Sequence, residues 1–425
     1  MTEDQHSLFF NLNLPDNWSV RLLKDFCETR DGIQTGPFGS LLHNEDYVRI
    51  GTPIITVEHL GENRILHTNP PCVNENDRQR LKKFWLKEGD IVFSRVGSVD
   101  RRAFVRKTEE GWLFSGRCLR IRPDHEKINS QYLSWFLGLS SIKEHIRSIA
   151  VGATMPSLNT KLLQNIPIII PPRQTQDQIA YMLGSLDDKI ELNHQMNETL
   201  EAMARAIFKS WFVDFDPVYA KKEGRDYLLP AEVMDLFPDE LEESELGMIP
   251  KGWRLVELET IVKRMKLQKR YTKDEVLNFG EVPVFEQGNK ILMGFHNNEP
   301  DIMASIDEPK FIFGDHTCTM KLITQPFSLG PNVIPLEGKD LPSVWVYYSS
   351  LDKQNFEEYR RHWMEFQIKK TILPDNKKIL FKFIETIKPI IEKVNLNQNQ
   401  NLTLEEVRDT LMPKLIKGEI DIWEG

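Results

Sequence analysis

Two stretches of the chain carry one pattern of apolar positions. In residues 174–212, Ile179, Leu183, Leu186, Ile190, Asn193, Asn197, Leu200, Ala204, Ile207 and Trp211 recur at alternating steps of four and three. That is a helical seam made to meet another helix, with position a at Leu183 and Ile190 and d at Ile179 and Leu186. The stretch has no proline and one glycine, Gly184. At about 1.5 Å per residue it predicts a rod roughly 55–60 Å long. One apolar stripe cannot bury itself, so a partner helix is required.

The chain supplies that partner near its other end. Phe383, Ile387, Ile390, Val394, Asn397, Asn401, Leu404, Arg408, Leu411 and Leu415 repeat the first set after a shift of 204. Asn193 falls on Asn397 and Asn197 on Asn401, and LNHQMNETLE (192–201) resembles LNQNQNLTLE (396–405). The asparagines lie near the middle of each stretch, so an antiparallel pairing would bring all four together. Buried asparagines cost stability but fix register and orientation. Two unrelated core helices are the plainer alternative. Pro389 should kink the second rod or mark a break, because proline removes a helical hydrogen bond.

Before each rod the pattern shortens to strand-like alternation. Pro15-Asp16-Asn17-Trp18-Ser19-Val20-Arg21-Leu22 is echoed 235 residues later by Pro250-Lys251-Gly252-Trp253-Arg254-Leu255-Val256-Glu257. The offset falls to 204 at the rods, so the second globular part is about 31 residues shorter. Strands are expected at 48–60, 89–97, 102–107, 118–123 and 166–170 in the first part, and at 281–287, 310–314, 318–324 and 331–336 in the second. Helices are expected around 129–147 and 341–360. The reading is an α+β chain of two mainly β domains, separated by two long helices in an antiparallel coiled coil with a pseudo-two-fold repeat. The divisions fall at 1–173, 174–213, 214–248, 249–375 and 376–425. Residues 214–248, acidic and with Pro217, Pro230 and Pro238, read as an extended, exposed linker.

Composition changes this picture little. The 425 residues are 40% hydrophobic and 28% charged, as in ordinary globular proteins. The four cysteines lie far apart without metal-ligand spacing, which suggests a reducing cytoplasm and no zinc site. No signal peptide is apparent, and no apolar run reaches the roughly 18 residues of a membrane span. Net charge is −9, but its distribution matters more. Residues 1–173 hold 23 Lys+Arg against 20 Asp+Glu, residues 174–248 hold 6 against 17, and residues 249–373 balance at 17 each. The acidity belongs to the first rod and the segment after it. The globular parts are free to present basic faces to phosphates.

Catalytic constellations are scarce. Asn69-Pro70-Pro71-Cys72 approaches the motif with which adenine methyltransferases hold a flipped base, but a cysteine replaces the aromatic residue and no glycine-rich cofactor loop precedes it. A polar turn is the simpler reading. Gly36-Pro37-Phe38-Gly39-Ser40 lacks the lysine and spacing of a phosphate loop. No Ser/His/Asp set or HExxH stands out, so binding is favoured over catalysis. Arg and Lys can read guanine edges, and Asn and Gln adenine. The candidates for DNA contact are Gln34, Ser40, Arg95, Arg101, Arg102 and Arg117 in the first domain. In the second they are Gln287, Asn289, Lys290, His296, Asn297, Asn298 and His316. For any one of them, a solvated loop is the competing reading.

The chain resembles the specificity subunits of type I restriction–modification enzymes. The resemblance rests on the tandem layout and on DGIQTGPFGS (31–40), KEGDIVFSRVG (87–97), GATMPSLNTKLLQNIPIIIPPRQTQDQIAYML (152–183), ELGMIPKGW (245–253) and LMPKLIKGEIDI (411–422). The second domain lacks a clean GDIVFSR equivalent. The resemblance implies that each domain is a target recognition domain reading one half of a bipartite, asymmetric site on double-stranded DNA. The helix pair would set the gap between the halves. Two modification subunits would methylate adenine with S-adenosylmethionine, and restriction subunits with ATP and Mg would join. This chain would hold no cofactor and do no catalysis. The alternatives are a single-chain adenine methyltransferase using residues 69–72, and a coiled-coil scaffold without DNA.

Overall fold

The computed structural model describes residues 14–28, 32–152, 154–288 and 290–420, apart from the side chains of Ser40 and Asn44. The chain divides into two compact units. One takes the residues up to Lys189 and those from Leu404 onward, and the other takes Ile190–Thr403. The division runs through both long helices. It therefore differs from the sequence divisions, which gave each helix to a segment of its own.

In the first unit, β1 (Ser19–Leu22), β2 (Ile33–Thr35), β3 (Tyr47–Val48), β4 (Thr52–Ile55), β5 (Cys72–Val73), β6 (Ile91–Ser94), β7 (Arg102–Phe104), β8 (Leu113–Phe114), β9 (Cys118–Ile121) and β10 (Pro167–Ile170) follow in order. The central sheet has the order β2-β9-β6-β7, and β1 pairs antiparallel with β10. Strand β6 is apolar on both faces. Ile91 and Phe93 enter a core with Leu119, Tyr132 and Trp135, while Val92 enters a second core with Ala103 and Phe114. Alternate residues point to opposite sides of a strand, so one short run feeds two cores. The helix expected around 129–147 is two helices, Ser130–Phe136 and Ser140–Ile149, parted at Gly138-Leu139.

The second unit contains β11 (Leu241–Ser244), β12 (Gly247–Pro250), β13 (Arg254–Glu257), β14 (Val262–Arg264), β15 (Val282–Phe285), β16 (Leu292–His296), β17 (Lys310–Gly314), β18 (Met320–Ile323), β19 (Ser328–Leu329), β20 (Val333–Gly338) and β21 (Lys370–Leu373). Its central sheet, β14-β20-β17-β18, has the same topology as the first. Strand β17 alternates in the same way, with Phe311 and Phe313 in one core and Ile312 in another. The repeat reaches single hydrogen bonds. Trp18 N donates to Pro15 O at 2.9 Å and Trp253 N to Pro250 O at 3.0 Å. Leu23 N donates to Ile166 O, and Leu258 N to Lys369 O, both at 2.9 Å. The helix expected over 341–360 stops at Ser350, and a short helix, Trp363–Gln367, follows.

Residues 214–248 are not an extended crossing. They form helices Asp216–Glu223 and Ala231–Met234 and the β11–β12 hairpin. Phe215, Val218, Val233 and Phe237 are buried in the core of the second unit. Phe237 meets Trp211 edge to face at 5.5 Å, and Phe215 meets Trp253 at 5.7 Å. Charge and proline suggested a linker, but the apolar residues between them hold the segment down.

The long helices are Arg173–Phe212 and Lys378–Ile416. The second runs through Pro389 without a break. Buried Ile387 and partly buried Ile390 pack against the core on either side of the proline, which offsets the lost hydrogen bond. Within the second unit the helices are antiparallel, with Asn197 opposite Asn397, Asn193 opposite Asn401, and Phe208 5.6 Å from Phe383. Within the first unit Asp187 meets Arg408, the same sense of pairing.

Candidate nucleic-acid interface

The seam asparagines come together. Asn397 Nδ2 donates to Asn197 Oδ1 at 2.8 Å, Asn193 Nδ2 to Asn401 Oδ1 at 2.8 Å, and Asn401 Nδ2 to Ile190 O at 3.3 Å. All four are buried. Shifting either helix by a turn would leave buried amides unpaired, at about 1–3 kcal/mol each.

The two sheets present equivalent ends. In the first unit, Gly36 follows β2 and its N–H donates to Cys118 O at 3.2 Å. A Cβ on Gly36 would lie 2.2 Å from Ser115 O, so only glycine lets the chain pass. The loop after β2 therefore packs on the turn Ser115-Gly116-Arg117. Arg95 joins them: its N–H donates to Arg117 O at 2.8 Å and its Nη1 to Gly116 O at 3.0 Å. Arg117 and Phe38 are exposed at this end. Ser40 lies in the turn Gly39–Leu41. Two motifs far apart in sequence, 31–40 and 87–97, thus form one surface.

In the second unit, Met265 follows β14 as Gly36 follows β2, and its N–H donates to Pro335 O at 3.0 Å. His316, in the turn after β17, donates its N–H to Gln287 Oε1 at 2.9 Å and stands edge to face with Tyr359 at 4.8 Å. Tyr359 is 73% exposed. Lys290, Asn297 and Asn298 are also exposed. Asn289 lies outside the described residues.

Three sequence candidates are corrected. Arg102 is buried, donating from Nε to Ser134 O at 2.5 Å and from Nη1 to Glu62 Oε1 at 2.7 Å, so its charge serves the interior. Gln34 is buried on β2 opposite Arg120, with its amide oxygen shut from solvent. His296 is buried and stacked on Tyr271 at 4.2 Å. Its Nδ1 accepts from Asn298 N at 3.1 Å, so Nε2 carries the proton and donates to Ser328 Oγ at 2.9 Å. Burial lowers the imidazole's pKa, and the ring stays neutral near pH 7. Arg101 is partly buried and donates to Leu60 O.

Sequence reading passed over residues 263–273, KRMKLQKRYTK, which lie on and after β14. Six of these eleven residues are Lys or Arg. Lys266 is exposed, and Arg270 donates to Gly330 O at the same end of the unit as Gln287. Desolvation, and then the nearby Arg264 cation, lower the Arg270 pKa. Cation density alone would have revealed this run. Tyr359 and Arg361 are different. Nothing local distinguishes them, and only the fold brings Arg361 to within 3.9 Å of Asp315 beside His316.

The Asn69–Cys72 segment is structural. Asn69 has φ +46°, Pro71 O accepts from Ile54 N at 2.7 Å, and Cys72 opens β5. Among the described residues no cluster of histidine, cysteine or acidic side chains is arranged to hold a metal. None of the described helices is long and apolar enough to cross a membrane.

Residues 15–202 match the type I restriction modification DNA specificity domain. The type I restriction enzyme HindI specificity subunit of Haemophilus influenzae is 25% identical over 84% of this chain and 92% of its own. The MjaIX specificity subunit of Methanocaldococcus jannaschii is 25% identical over 97% and 95%. The chain is thus similar, along nearly its whole length, to the specificity subunits of type I restriction–modification enzymes. Both relatives span the two units, so the similarity is not confined to the first unit. The crystal structure of the type I restriction–modification S subunit from M. genitalium has the same fold, with a TM-score of 0.54 at 16% identity, covering 95% of this chain and 97% of that one.

Proposed function

We propose that the chain is the DNA-reading subunit of a type I restriction–modification complex. Each unit would read one half of a bipartite, asymmetric site on duplex DNA through the loops at one end of its central sheet. The supporting observation is the repeat of one sheet topology with unlike side chains at equivalent ends: Phe38, Arg95 and Arg117 in one unit, and Lys266, Arg270, His316 and Tyr359 in the other. Like frames with unlike edges suit a site whose halves differ in sequence. The lengths of the two helices would set the gap that is read, one added heptad corresponding to about 10 Å, or roughly three base-pair steps.

Two modification subunits would dock on the long helices, where Tyr181, Leu192, Met203, Phe381, Leu396 and Val407 stay exposed. Those subunits would bring S-adenosylmethionine. Restriction subunits, if recruited, would bring ATP and Mg. The chain itself would hold no cofactor and carry out no bond-making step, and the complex would work in the cytoplasm. Mapping methylated adenines in a host that expresses the chain with its cognate methyltransferase tests the reading. A two-part motif that vanishes when the chain is deleted is expected. Unchanged methylation on deletion, or S-adenosylmethionine bound by the chain alone, would overturn it.

A further inference from the structure

A cavity of about 180 Å³ opens in the second unit where both long helices meet the edge strand β18. Its lining joins Lys321, Arg205, Thr324 and Tyr347 to an apolar wall that includes Ile391 and Val394. The ammonium of Lys321 lies 5.2 Å from the centre of the Phe285 ring. It makes no hydrogen bond or ion pair within 4 Å among the described residues, although it lies within the field of Glu201, which lines the same cavity.

The first unit shows how such a junction is completed. There Asp187, on the first long helix, accepts from Arg64 Nη2 at 2.8 Å, Arg106 Nη2 at 3.1 Å and Arg408 Nη1 at 3.2 Å. The shift of 204 that superposes the helices puts Ile391 at the position of Asp187. The sheet order β2-β9-β6-β7 against β14-β20-β17-β18 makes β18 the counterpart of β7. Thr324, just past β18, therefore stands where Arg106, just past β7, reaches Asp187. The second junction keeps cations on the domain and on the first helix but has no carboxylate at the position equivalent to Asp187, and Glu201, on the first helix, lines the cavity without reaching Lys321 within 4 Å among the described residues.

We propose that this cavity binds a small amphipathic carboxylate, which supplies from outside the negative charge that Asp187 supplies in the first unit. Its carboxylate would accept from Lys321, with the Tyr347 and Thr324 hydroxyls as further donors. Its apolar body would lie on Ile391 and Val394. Arg205 is already held by Asp352 at 3.2 Å and adds only long-range attraction. Glu201 opposes the ligand, so binding is weakened where that carboxylate is ionised.

The test uses the full chain and needs neither DNA nor a partner subunit. Sodium benzoate is titrated at constant ionic strength while melting temperature is followed, with benzylamine and inorganic phosphate as comparisons. A saturable rise with benzoate alone is expected. Lys321→Met should weaken it by about tenfold or more, the worth of a charge-assisted hydrogen bond. Ile391→Asp, which installs the missing carboxylate, should abolish it, and Glu201→Gln should strengthen it. An equal benzoate response in Lys321→Met overturns the site. So does the absence of any response in both the parent and Glu201→Gln. An equal response to phosphate or benzylamine overturns the assignment to a carboxylate.

Discussion

The two places where a domain meets the helix pair are built from different chemistry. In the first unit a nearly inaccessible aspartate, Asp187, gathers three arginines from separate parts of the chain. In the second unit the position equivalent to Asp187 is Ile391, and holding falls to rings. Phe208, Trp211, Phe212, Phe383 and Trp345 pack at centroid separations of 5.0–6.5 Å. One sheet and one helix seam thus tolerate two kinds of fastening. Apolar burial closes both junctions, with Ile179, Leu183 and Leu415 in the core of the first unit, and the first junction adds the buried ion network around Asp187. An ion network needs its partners within about an ångström, whereas apolar burial is non-directional and tolerates exchange.

Substitutions can break this contrast from either side. Asp187→Ala leaves three guanidinium groups without their shared acceptor and should destabilise the first unit by about 3–5 kcal/mol. Trp211→Ala should cost the second unit a similar amount, about 3–5 kcal/mol, through lost ring packing. Denaturant unfolding followed by hydrogen exchange separates the two. Loss of protection in the same unit for both variants would refute the contrast. Asn397→Leu is a smaller lesion. It orphans the Asn197 amide in the seam and should cost about 1–3 kcal/mol, read as a lower denaturation midpoint.

Acid sharpens the comparison further. Burial works against the ionised form of Glu62, but Arg102 and Lys143 outweigh it and hold the carboxyl at about 2 rather than 4.5. A carboxyl with a depressed folded-state pKa stabilises the fold fully above its unfolded pKa. That contribution is lost as pH falls toward the folded value. Between about pH 4.5 and 2 the first unit should therefore weaken, and Glu62→Gln should flatten that part of its melting-temperature profile. The effect is modest because the Glu62 side chain is half exposed. A steep acid transition retained in Glu62→Gln would assign it to other groups.

The smallest predicted effect concerns the sheet ends proposed to meet DNA. The loop after β2 carries Pro37 and Phe38, while the loop after β14 carries Lys266, Lys269 and Arg270. Lys266→Ala should lower the salt slope of DNA binding by about 1 and weaken different targets alike. Binding measured across a salt series would show this. An unchanged slope would remove Lys266 from the phosphate contacts.

Local periodicity carried much of the fold. The seam, its antiparallel sense and the meeting of the asparagines follow from residues spaced three and four apart, because a helix turns every 3.6 residues whatever surrounds it. The expected strands lie where alternating apolar residues mark them, with ends shifted by a few positions. Strands β1, β2, β5, β8, β11, β12, β13, β14, β16, β19 and β21 went unpredicted, since most are short and find their partners elsewhere in the chain. The candidate interface was legible only in part. Arg95 and Arg117 reach one surface, as do Gln287 and His316, but Arg102, Gln34 and His296 turn inward.

Sequence alone determined the repeat, the two rods and their register, because each is written in spacings along the chain. Tertiary structure alone decided which charges are spent inside. Arg102 finds Glu62 across 40 residues, and Asp187 finds Arg408 across 221. It also decided that the acidic segment 214–248 packs as part of a core. The reason is physical: a polar side chain's fate depends on whether distant groups arrive to replace water around it, and no local pattern records that.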